Sequence, residues 1–247
     1  MPEHPTKSRL DSLLVERGLV PSRQRAAALV MAGRVMVDGV RIDKPGKQVP
    51  NASEVTVKGD MPYVSRGGLK LAGALEAFDR DPSGLTVLDA GASTGGFTDC
   101  LLQHGASKVI AVDVGYGQIH WKLRNDPRVI VVERVNIRSL NSAGLPCPIE
   151  AAVADLSFIS LKLVLPALKD LLPVGAWLVP LVKPQFEVGR SDVGKGGVVR
   201  DDAKIRRAVD HIGQFAASMG FDVLGDVESP IKGPKGNREY FLNLVKR

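Results

Sequence analysis

The chain has 247 residues, a formal net charge of +6 and 44% apolar residues. This length fits one large domain, or one medium domain with a small module, and the apolar content predicts a sizeable core. Its two cysteines exclude a cysteine-based metal or redox motif, and we expect both to be plain thiols in a reducing cytoplasm.

The first 20 residues are polar and charged, which indicates that no signal peptide is present. The longest apolar stretches, such as residues 177–182, are too short to cross a bilayer. We therefore expect a soluble cytoplasmic protein that does not insert into membranes. The positive charge favours a polyanionic partner without requiring one.

Residues 1–59 are predicted to form a separate small module. A helical face of leucines ends at Arg17-Gly18, and Ser22 caps a second helix that Gly33 ends. Alternating apolar residues around Asp38-Gly39 predict a β-hairpin. The predicted elements are helices at 10–17 and 23–31, a hairpin at 34–41 and a strand at 54–57.

Up to Asp60 this module holds 10 Lys and Arg against 7 Asp and Glu. Its order of two helices and a Val-x-Val-Asp-Gly hairpin resembles the RNA-binding module named after ribosomal protein S4, over residues 8–57. The resemblance implies that the second helix and the hairpin loop grip RNA through phosphate contacts, which position RNA without reading its sequence. A solvated basic face is the alternative. The candidate RNA-binding residues are Arg9, Arg23, Arg25, Arg34, Lys44, Lys47 and, beyond the module, Arg66.

Residues 59–62 break both helix and strand periodicity, so we predict a linker at 60–66 and a second domain at 67–247. Gly67-Gly68 predicts a flexible turn, and an amphipathic helix is predicted at 71–78. Lys70 lies just before that helix, where a cation gains nothing from the helix dipole. It is therefore either a plain exposed residue or a functional one.

From residue 85 onward, apolar runs alternate with helical segments, which predicts an α/β fold: a Rossmann-like parallel sheet with helices on both faces. The last strand follows a loop too short for a crossover helix, so it should pair antiparallel with the sixth strand. Seven such strands are the sheet expected of an S-adenosylmethionine-dependent methyltransferase. Strands are predicted at 86–90, 108–113, 128–133, 151–155, 177–182, 221–228 and 239–245, and helices at 96–104, 117–124, 160–172 and 202–219.

The first strand of this domain ends in a carboxylate followed by a loop of small residues. Such a loop lets a cofactor approach the backbone, and the helix after it offers free N–H groups. An acid that ends the second strand is placed to hold a ribose diol. The glycine spacing is not that of a dinucleotide fingerprint, which argues against a nicotinamide dehydrogenase and suits S-adenosylmethionine. The candidate cofactor-binding residues are Asp89, Gly91, Ala92, Ser93, Thr94, Gly95, Gly96, Phe97, Asp113 and Asn136.

Asn136 follows the third strand, where it could meet the adenine edge or only form a turn. Asp155 ends the fourth strand and Lys183 the fifth. Ligands bind at this edge of an open α/β sheet. A strand-end acid is often a helix cap, but a lysine that ends a central apolar strand beside Asp155 would be paired and fixed.

Taken together, the strand-end motifs resemble those of the TlyA family, whose members are named haemolysins. The resemblance implies an FtsJ/RrmJ-like fold and methyl transfer from S-adenosylmethionine to a ribose 2′-hydroxyl, with S-adenosylhomocysteine as product and no metal. It also implies cytidines of small- or large-subunit ribosomal RNA, or both, as targets, and we expect a monomer. The matching segments are 89–97, 113–118, 155–160, 181–187, 194–199 and 236–241.

The Lys-Asp-Lys-Glu tetrad of that family falls on Lys70, Asp155, Lys183 and Glu239. A ribose hydroxyl is a poor nucleophile at neutral pH and must lose its proton as it attacks. Lys183, held by Asp155, could orient the hydroxyl and stabilise alkoxide charge, or act as general base. We favour orientation and electrostatic stabilisation, because the carboxylates hold the lysine in its charged form.

Other activities fit these residues less well. A cytosine C5-methyltransferase needs a cysteine nucleophile, but Cys147 precedes the fourth strand and Cys100 is predicted to lie within a helix. An amine methyltransferase typically carries Asp/Asn-Pro-Pro-aromatic where residues 155–158 read Asp-Leu-Ser-Phe, and a missing aromatic clamp would favour a sugar target. A lytic or purely RNA-binding protein is a further alternative, although no segment is apolar enough to insert. Residues 185–199, with Arg190 and Lys195, are either an RNA-facing lid or a structured connector.

Overall fold

The computed structural model describes residues 7–17, 19–20, 22–57, 62–189 and 192–247. The chain divides into two compact units, Met1–Pro62 and Tyr63–Arg247. No helix in the described ranges is long and apolar enough to span a membrane. Gly18, residues 60 and 61 of the predicted linker, and Arg190 lie outside the described residues.

The first unit is a small α+β module. Strand β2 pairs antiparallel with both β3 and β5, and β1 pairs antiparallel with β4. The sequence did not indicate the β1–β4 pair, because each strand is only three residues long. The elements are β1 (Lys7–Arg9), α1 (Leu10–Glu16), α2 (Arg23–Met31), β2 (Val35–Val37), β3 (Val40–Ile42), β4 (Gln48–Pro50) and β5 (Val55–Val57).

The predicted helix cap and the predicted hairpin turn of this module are confirmed. Ser22 caps α2 by accepting a hydrogen bond from the Arg25 N–H at 3.2 Å. The hairpin turns at Asp38 and Gly39, whose φ angles of 49° and 78° are both left-handed, as a type I′ turn requires. Leucines of α1 and valines of the sheet form its core, which is separate from the core of the second unit.

The second unit is built around a seven-stranded sheet of order β11-β12-β10-β9-β6-β7-β8. All its strands run parallel except β12, which pairs antiparallel with β10 and β11. The predicted Rossmann-like α/β sheet and its antiparallel last strand are therefore confirmed. The strands are β6 (Thr86–Ala90), β7 (Lys108–Asp113), β8 (Val129–Glu133), β9 (Ala151–Ala154), β10 (Trp177–Val182), β11 (Phe221–Glu228) and β12 (Tyr240–Lys246).

Helices cover both faces of this sheet. One face packs against α3, α4 and α5, and the other against α6 and α8. The central strands are buried on both sides, which explains their continuous apolar runs. The helices are α3 (Gly67–Phe78), α4 (Gly96–Gln103), α5 (Trp121–Arg124), α6 (Leu165–Leu171), α7 (Pro184–Glu187) and α8 (Asp202–Ser218).

Three predicted helices differ from the structure. Helix α3 begins at Gly67, so Gly67-Gly68 is helical rather than a free turn. Only residues 121–124 of the segment predicted as 117–124 are helical. The segment predicted as 160–172 is a 3₁₀ turn followed by α6, because Pro166 has no N–H to continue the first turn.

The start of the second unit is ordered by contacts with α4. The Val64 N–H donates to Asp99 at 2.7 Å, so residues 63–66, assigned to the linker from sequence, belong to this unit. A Cβ on Gly96 would lie 3.0 Å from the Gly68 nitrogen and closer still to Ser65. Glycine at residue 96 thus lets the first turn of α3 approach α4.

The strand order reverses next to β6. The chain passes from β6 outward through β7 to β8, then returns to β9 on the other side. Such a switch point opens a crevice at the carboxyl ends of the two central strands, where ligands bind in open α/β sheets. Loops after β6, β7, β8, β9 and β10 all border that edge.

Candidate active site

Two neighbouring cavities lie at the carboxyl edge of the sheet. The Asp113 cavity, of about 390 Å³, is lined by the loops that follow β6, β7, β8 and β9. The Lys183 cavity, of about 520 Å³, is lined by the loop after β10 and by residues 233–239. Ser157 and Phe158 line both, so the two cavities share a wall.

Asp113 presents a carboxylate to the first cavity. Its Oδ2 accepts a hydrogen bond from the Ser93 N–H at 2.8 Å, and its Oδ1 accepts one from the Gly115 N–H at 2.7 Å. Each oxygen keeps a second lone pair, so the fixed carboxylate can still accept two hydroxyl protons. Apolar side chains of Val112, Val114 and Ile137 line the same cavity and offer a dry surface to a flat ring.

The predicted cofactor-binding residues divide into two groups. Gly91, Ser93, Asp113 and Asn136 line the Asp113 cavity. Asn136 also makes a turn, since its Oδ1 accepts the Arg138 N–H at 3.0 Å. The others belong to the supporting loop and helix outside the cavity lining: Asp89, Ala92, Thr94, Gly95, Gly96 and Phe97.

Asp89 lies beneath the loop, completely buried. Its Oδ2 accepts a hydrogen bond from the Thr98 hydroxyl at 2.6 Å, while its Oδ1 has no partner among the described residues. Burial, with a smaller contribution from the charge of Asp155, raises the pKa of Asp89 to about 7. Asp89 therefore anchors the start of α4 and does not line the Asp113 cavity, and its cofactor-binding role stays a prediction.

Lys183 and Asp155 form an ion pair between the two cavities. The Lys183 Nζ lies 2.5 Å from Asp155 Oδ1 and donates to the Ser157 hydroxyl at 3.0 Å. Lys183 is 9% exposed, and it lines the second cavity while Asp155 lines the first. Asp155 and Lys183 directly follow the adjacent parallel strands β9 and β10, which explains why they meet.

Lys70 and Glu239 form a second, more deeply buried pair. The Lys70 Nζ donates to Glu239 Oε2 at 2.6 Å, and the two residues are 6% and 1% exposed. Lys70 is therefore not the plain exposed residue that the sequence left open. Glu239 lines the Lys183 cavity, so both ion pairs contribute a side chain to it.

Phe158 is the site residue that sequence reasoning missed. Its side chain is 89% exposed at the wall shared by the cavities, and its ring lies 5.2 Å from that of Phe186. A φ of 64° is strained for a phenylalanine, and such strain is concentrated at functional sites. An exposed ring does follow β9, whereas the absence of an aromatic clamp for a base stays a prediction. The aromatic fourth residue of Asp-Leu-Ser-Phe was the signal that could have found this ring.

The segment after Lys183 is tied to the 233–237 turn. Asn237 is 3% exposed; its Oδ1 accepts the Val199 N–H at 3.0 Å, and its Nδ2 donates to the Gly197 carbonyl at 2.9 Å. In the part of this segment that the structure describes, these bonds make it a structured connector. Lys195 is exposed on it.

The candidate RNA-binding residues of the first unit are all exposed. Arg9 and Arg23 both donate to Asp11, at 2.8 and 3.3 Å. Arg17, also exposed, donates to the Ser53 carbonyl at 2.8 Å and to the Asn51 carbonyl. In the second unit, Arg66 donates to the Lys232 carbonyl at 3.0 Å. Arg25, Arg34, Lys44 and Lys47 are exposed as well, and Arg25 and Arg34 also have partners within the protein.

Residues 63–246 match the model of the FtsJ-like methyltransferases, which covers most of the second unit. This chain belongs to the FtsJ-like methyltransferase family. Residues 8–55 match the S4 domain, so an S4 domain precedes the FtsJ-like domain.

Cys147 lines neither cavity, and no group of three or more potential metal ligands occurs among the described residues.

The curated relatives agree with this family. The 16S/23S rRNA (cytidine-2′-O)-methyltransferase TlyA of Mycobacterium tuberculosis is 51% identical over 240 residues, covering 96% of this chain and 90% of that protein. Hemolysin A of Brachyspira hyodysenteriae is 40% identical, covering 96% of this chain and 99% of the relative. The resemblance to the TlyA family is therefore confirmed over nearly the whole length.

Among solved structures, a hemolysin-named protein from Streptococcus thermophilus is 44% identical with a TM-score of 0.76, covering 98% of this chain and 90% of that one.

Proposed function

We propose that this chain transfers a methyl group from S-adenosylmethionine to the ribose 2′-hydroxyl of cytidine in ribosomal RNA. One observation carries the proposal: the Lys183–Asp155 ion pair, 2.5 Å apart, lies at the junction of two cavities. A donor in the Asp113 cavity and an acceptor in the Lys183 cavity would meet at this pair. A transferase needs such a junction, whereas a protein that only binds RNA does not.

The residues around the Asp113 cavity fit S-adenosylmethionine. Asp113 has lone pairs left for the ribose diol, and the apolar side chains beside it suit the adenine ring. Asn136 would meet the adenine edge, and Gly91 and Ser93 border the space for the methionine part. When bound, S-adenosylmethionine supplies an electrophilic methyl group on a positively charged sulfur. Ala92, Thr94, Gly95, Gly96 and Phe97 would act by shaping this loop.

Lys183 is proposed to position the acceptor. Its ammonium, fixed by Asp155 and Ser157, can donate to the 2′-oxygen and stabilise the negative charge that develops there. The new oxygen–carbon bond would form as the carbon–sulfur bond breaks, and the proton of the 2′-hydroxyl would pass to solvent water. Alignment of oxygen, methyl carbon and sulfur supplies much of the rate, since positioning alone can be worth about 7–11 kcal/mol.

Glu239 and Lys70 are proposed to complete the acceptor side. The Glu239 carboxylate borders the Lys183 cavity and is held in place by the buried Lys70 ammonium. A carboxylate fixed in this way can orient a ribose hydroxyl by accepting its hydrogen bond. Lys70 would then act through Glu239 rather than on the RNA.

We propose that residues 1–59 bind the RNA and residues 67–247 carry the chemistry. The S4 domain match and its exposed basic side chains support this division. Ribosomal RNA as substrate is supported by the name of the Mycobacterium tuberculosis relative, which includes 16S and 23S rRNA. We further propose that the protein is a monomer, because one chain supplies all four tetrad residues. We also propose that it acts in the cytoplasm.

The test is methyl transfer from labelled S-adenosylmethionine to ribosomal RNA, and to both ribosomal subunits, from cells that lack the protein. Transfer to a 2′-oxygen should leave the adjacent phosphodiester resistant to alkali, and mapping that bond identifies the nucleotide. The Lys183→Met variant should lose transfer while it still binds S-adenosylmethionine. Lys108→Met is the matched control, because Lys108 begins β7 at the opposite edge of the sheet.

Label in a base instead of a ribose, or transfer unaffected by Lys183→Met, would contradict the proposed function. Lysis of cells without S-adenosylmethionine, equally strong in the Lys183→Met variant, would favour the lytic alternative.

A further inference from the structure

Gln185 lines the Lys183 cavity, and its side chain carries a buried acceptor. Its side-chain oxygen, Oε1, is buried and receives no hydrogen bond within the described ranges. A buried acceptor without a donor is costly to a folded protein, and native structures contain few of them. An acceptor retained in this way beside Lys183 and Glu239 therefore points to a donor on the bound substrate.

The backbone that carries Gln185 is held rigidly. Helix α7 starts directly after Lys183, and Glu187 in the same helix accepts the Ser160 hydroxyl at 2.5 Å and the Leu161 N–H at 2.8 Å. These bonds join the loop after β10 to the loop after β9. Gln185 is thus fixed relative to Lys183, as a recognition residue must be.

The other amide side chain in the cavity wall is already used. The Asn237 oxygen accepts a hydrogen bond from the Val199 N–H, and its nitrogen donates one to the Gly197 carbonyl. Lys235, which also lines the cavity, can only donate. Of the two amides in this wall, Gln185 is the one whose oxygen still needs a donor.

The chemistry of RNA limits what that donor can be. Within an RNA chain the 3′- and 5′-oxygens are esterified and carry no hydrogen, so a nucleotide offers only its 2′-hydroxyl and its base N–H groups. Lys183 can approach the 2′-oxygen, and the base is attached to the neighbouring ribose carbon. A second acceptor in the same cavity is therefore placed for the base.

We infer that Gln185 reads the base of the target nucleotide by accepting a hydrogen bond from the exocyclic amino group of cytosine. This inference rests on the proposed function and adds a residue that contacts the target base. At the same place uracil presents a carbonyl oxygen, which the glutamine could meet only after its amide has rotated. Gln185 would thus bind the base without taking part in the methyl transfer.

The test removes the proposed hydrogen bond in two ways, by changing Gln185 in the protein and by changing the base in the RNA. The probe is the mapped ribosomal RNA fragment, made either with cytidine or with the pyrimidin-2-one ribonucleoside, which lacks only the amino group. The pyrimidinone is preferable to uridine, because a glutamine amide can rotate to satisfy a carbonyl. Wild-type protein and the Gln185→Met variant are compared on both RNAs by kcat/KM.

Wild-type protein should lose about tenfold in kcat/KM when the amino group is removed. The Gln185→Met variant should be weakened on cytidine by a similar factor and show little further loss, under about twofold, on the pyrimidinone. Lys235→Met serves as the control in the same cavity; it should weaken both RNAs by the same factor, because a lysine can contact phosphate but cannot accept from the amino group.

The inference is wrong if removing the amino group lowers kcat/KM as much in the Gln185→Met variant as in wild type, so that the two losses multiply. It is also wrong if wild-type protein has the same kcat/KM on both RNAs. A third contradicting result is a Gln185→Met variant whose kcat falls equally on both RNAs while it still distinguishes the two bases as wild type does. That result would mean that Gln185 has only a structural role. In all of these outcomes wild-type protein still methylates the ribose. Absence of ribose methylation by wild-type protein would instead remove the proposed function itself.

Discussion

The ammonium of Lys70 lies 2.6 Å from the carboxylate of Glu239, although 169 residues separate them in the chain. Lys70 comes from the first turns of α3, and Glu239 immediately precedes β12. Both are almost fully buried, so each charge depends on the other for compensation. The pair thereby joins the beginning of the second unit to its last strand.

Removing one member of this pair should destabilise the protein. Lys70→Met leaves an uncompensated buried carboxylate, and we expect the free energy of unfolding to fall by about 3–5 kcal/mol. The double variant Lys70→Met with Glu239→Leu should recover much of that loss, because it buries no charge. Urea denaturation of the second unit measures both effects. Strict additivity of the two single changes would show that the side chains are not coupled.

Gly233 controls the position of the Glu239 carboxylate. A Cβ at residue 233 would lie 3.0 Å from the Glu239 Cδ and closer to its Oε1. Because Lys70 fixes that carboxylate, Gly233→Ala should displace it and lower kcat for methyl transfer about tenfold or more, with little change in S-adenosylmethionine affinity. Gly213→Ala in α8 is the control, because its Cβ would meet only Val223 at 3.8 Å. Unchanged kcat in Gly233→Ala would mean that the placement of Glu239 is not critical.

Asp89 should make stability depend on pH. Its folded-state pKa of about 7 lies above the ordinary value of 3.8, so the folded state holds a proton that the unfolded state releases. Stability should therefore fall as pH rises from about 4 to about 7, by at most about 1.4 kcal/mol per pH unit. Asp89→Asn removes this dependence. The free energy of unfolding of the variant should therefore rise relative to that of wild type as pH increases from about 4 to about 7. Parallel stability curves for the two proteins would contradict the prediction.

Asp11 in the first unit should show the opposite sign. Its hydrogen bonds with Arg9, and more weakly with Arg23, lower the pKa of its carboxyl to about 2. The stability that it contributes is present above about pH 4 and is lost as pH falls toward 2. Asp11→Asn should therefore be less stable than wild type at neutral pH, with a difference that disappears in acid. A difference that persists at pH 2 would point to poorer packing instead.

The exposed basic side chains of the first unit should set the salt dependence of RNA binding. We expect the triple variant of Arg25, Arg34 and Lys44 to glutamine to bind ribosomal RNA more weakly. The slope of log affinity against log salt should fall by about one for each phosphate that is no longer neutralised. Filter binding over a salt series measures this slope.

Arg17→Gln is the matched control for that series. Arg17 is also exposed, but it is not one of the candidate RNA-binding residues, and its guanidinium donates to the carbonyls of Ser53 and Asn51. This variant should lower the stability of the module while leaving the salt slope close to that of wild type. An unchanged slope in the triple variant would show that RNA is held elsewhere.

The sequence by itself determined which elements form and where strands end. Apolar runs that alternate with helical segments are local patterns, and they placed the strands of the sheet within about one residue. They also placed Asp113, Asp155 and Lys183 at strand ends, since each directly follows or closes an apolar run. Because parallel strands share their carboxyl edge, the pairing of Asp155 with Lys183 followed from the order of the strands.

Only the tertiary structure decided what surrounds those residues. The insertion of β12 between β10 and β11 brings Glu239 to Lys70, and no local pattern contains a contact across 169 residues. Likewise, the exposure of Phe158 and the unpaired oxygen of Gln185 depend on how neighbouring loops pack. Local periodicity specifies which way a backbone segment folds, whereas burial and hydrogen-bond partners are set by residues far away in the chain.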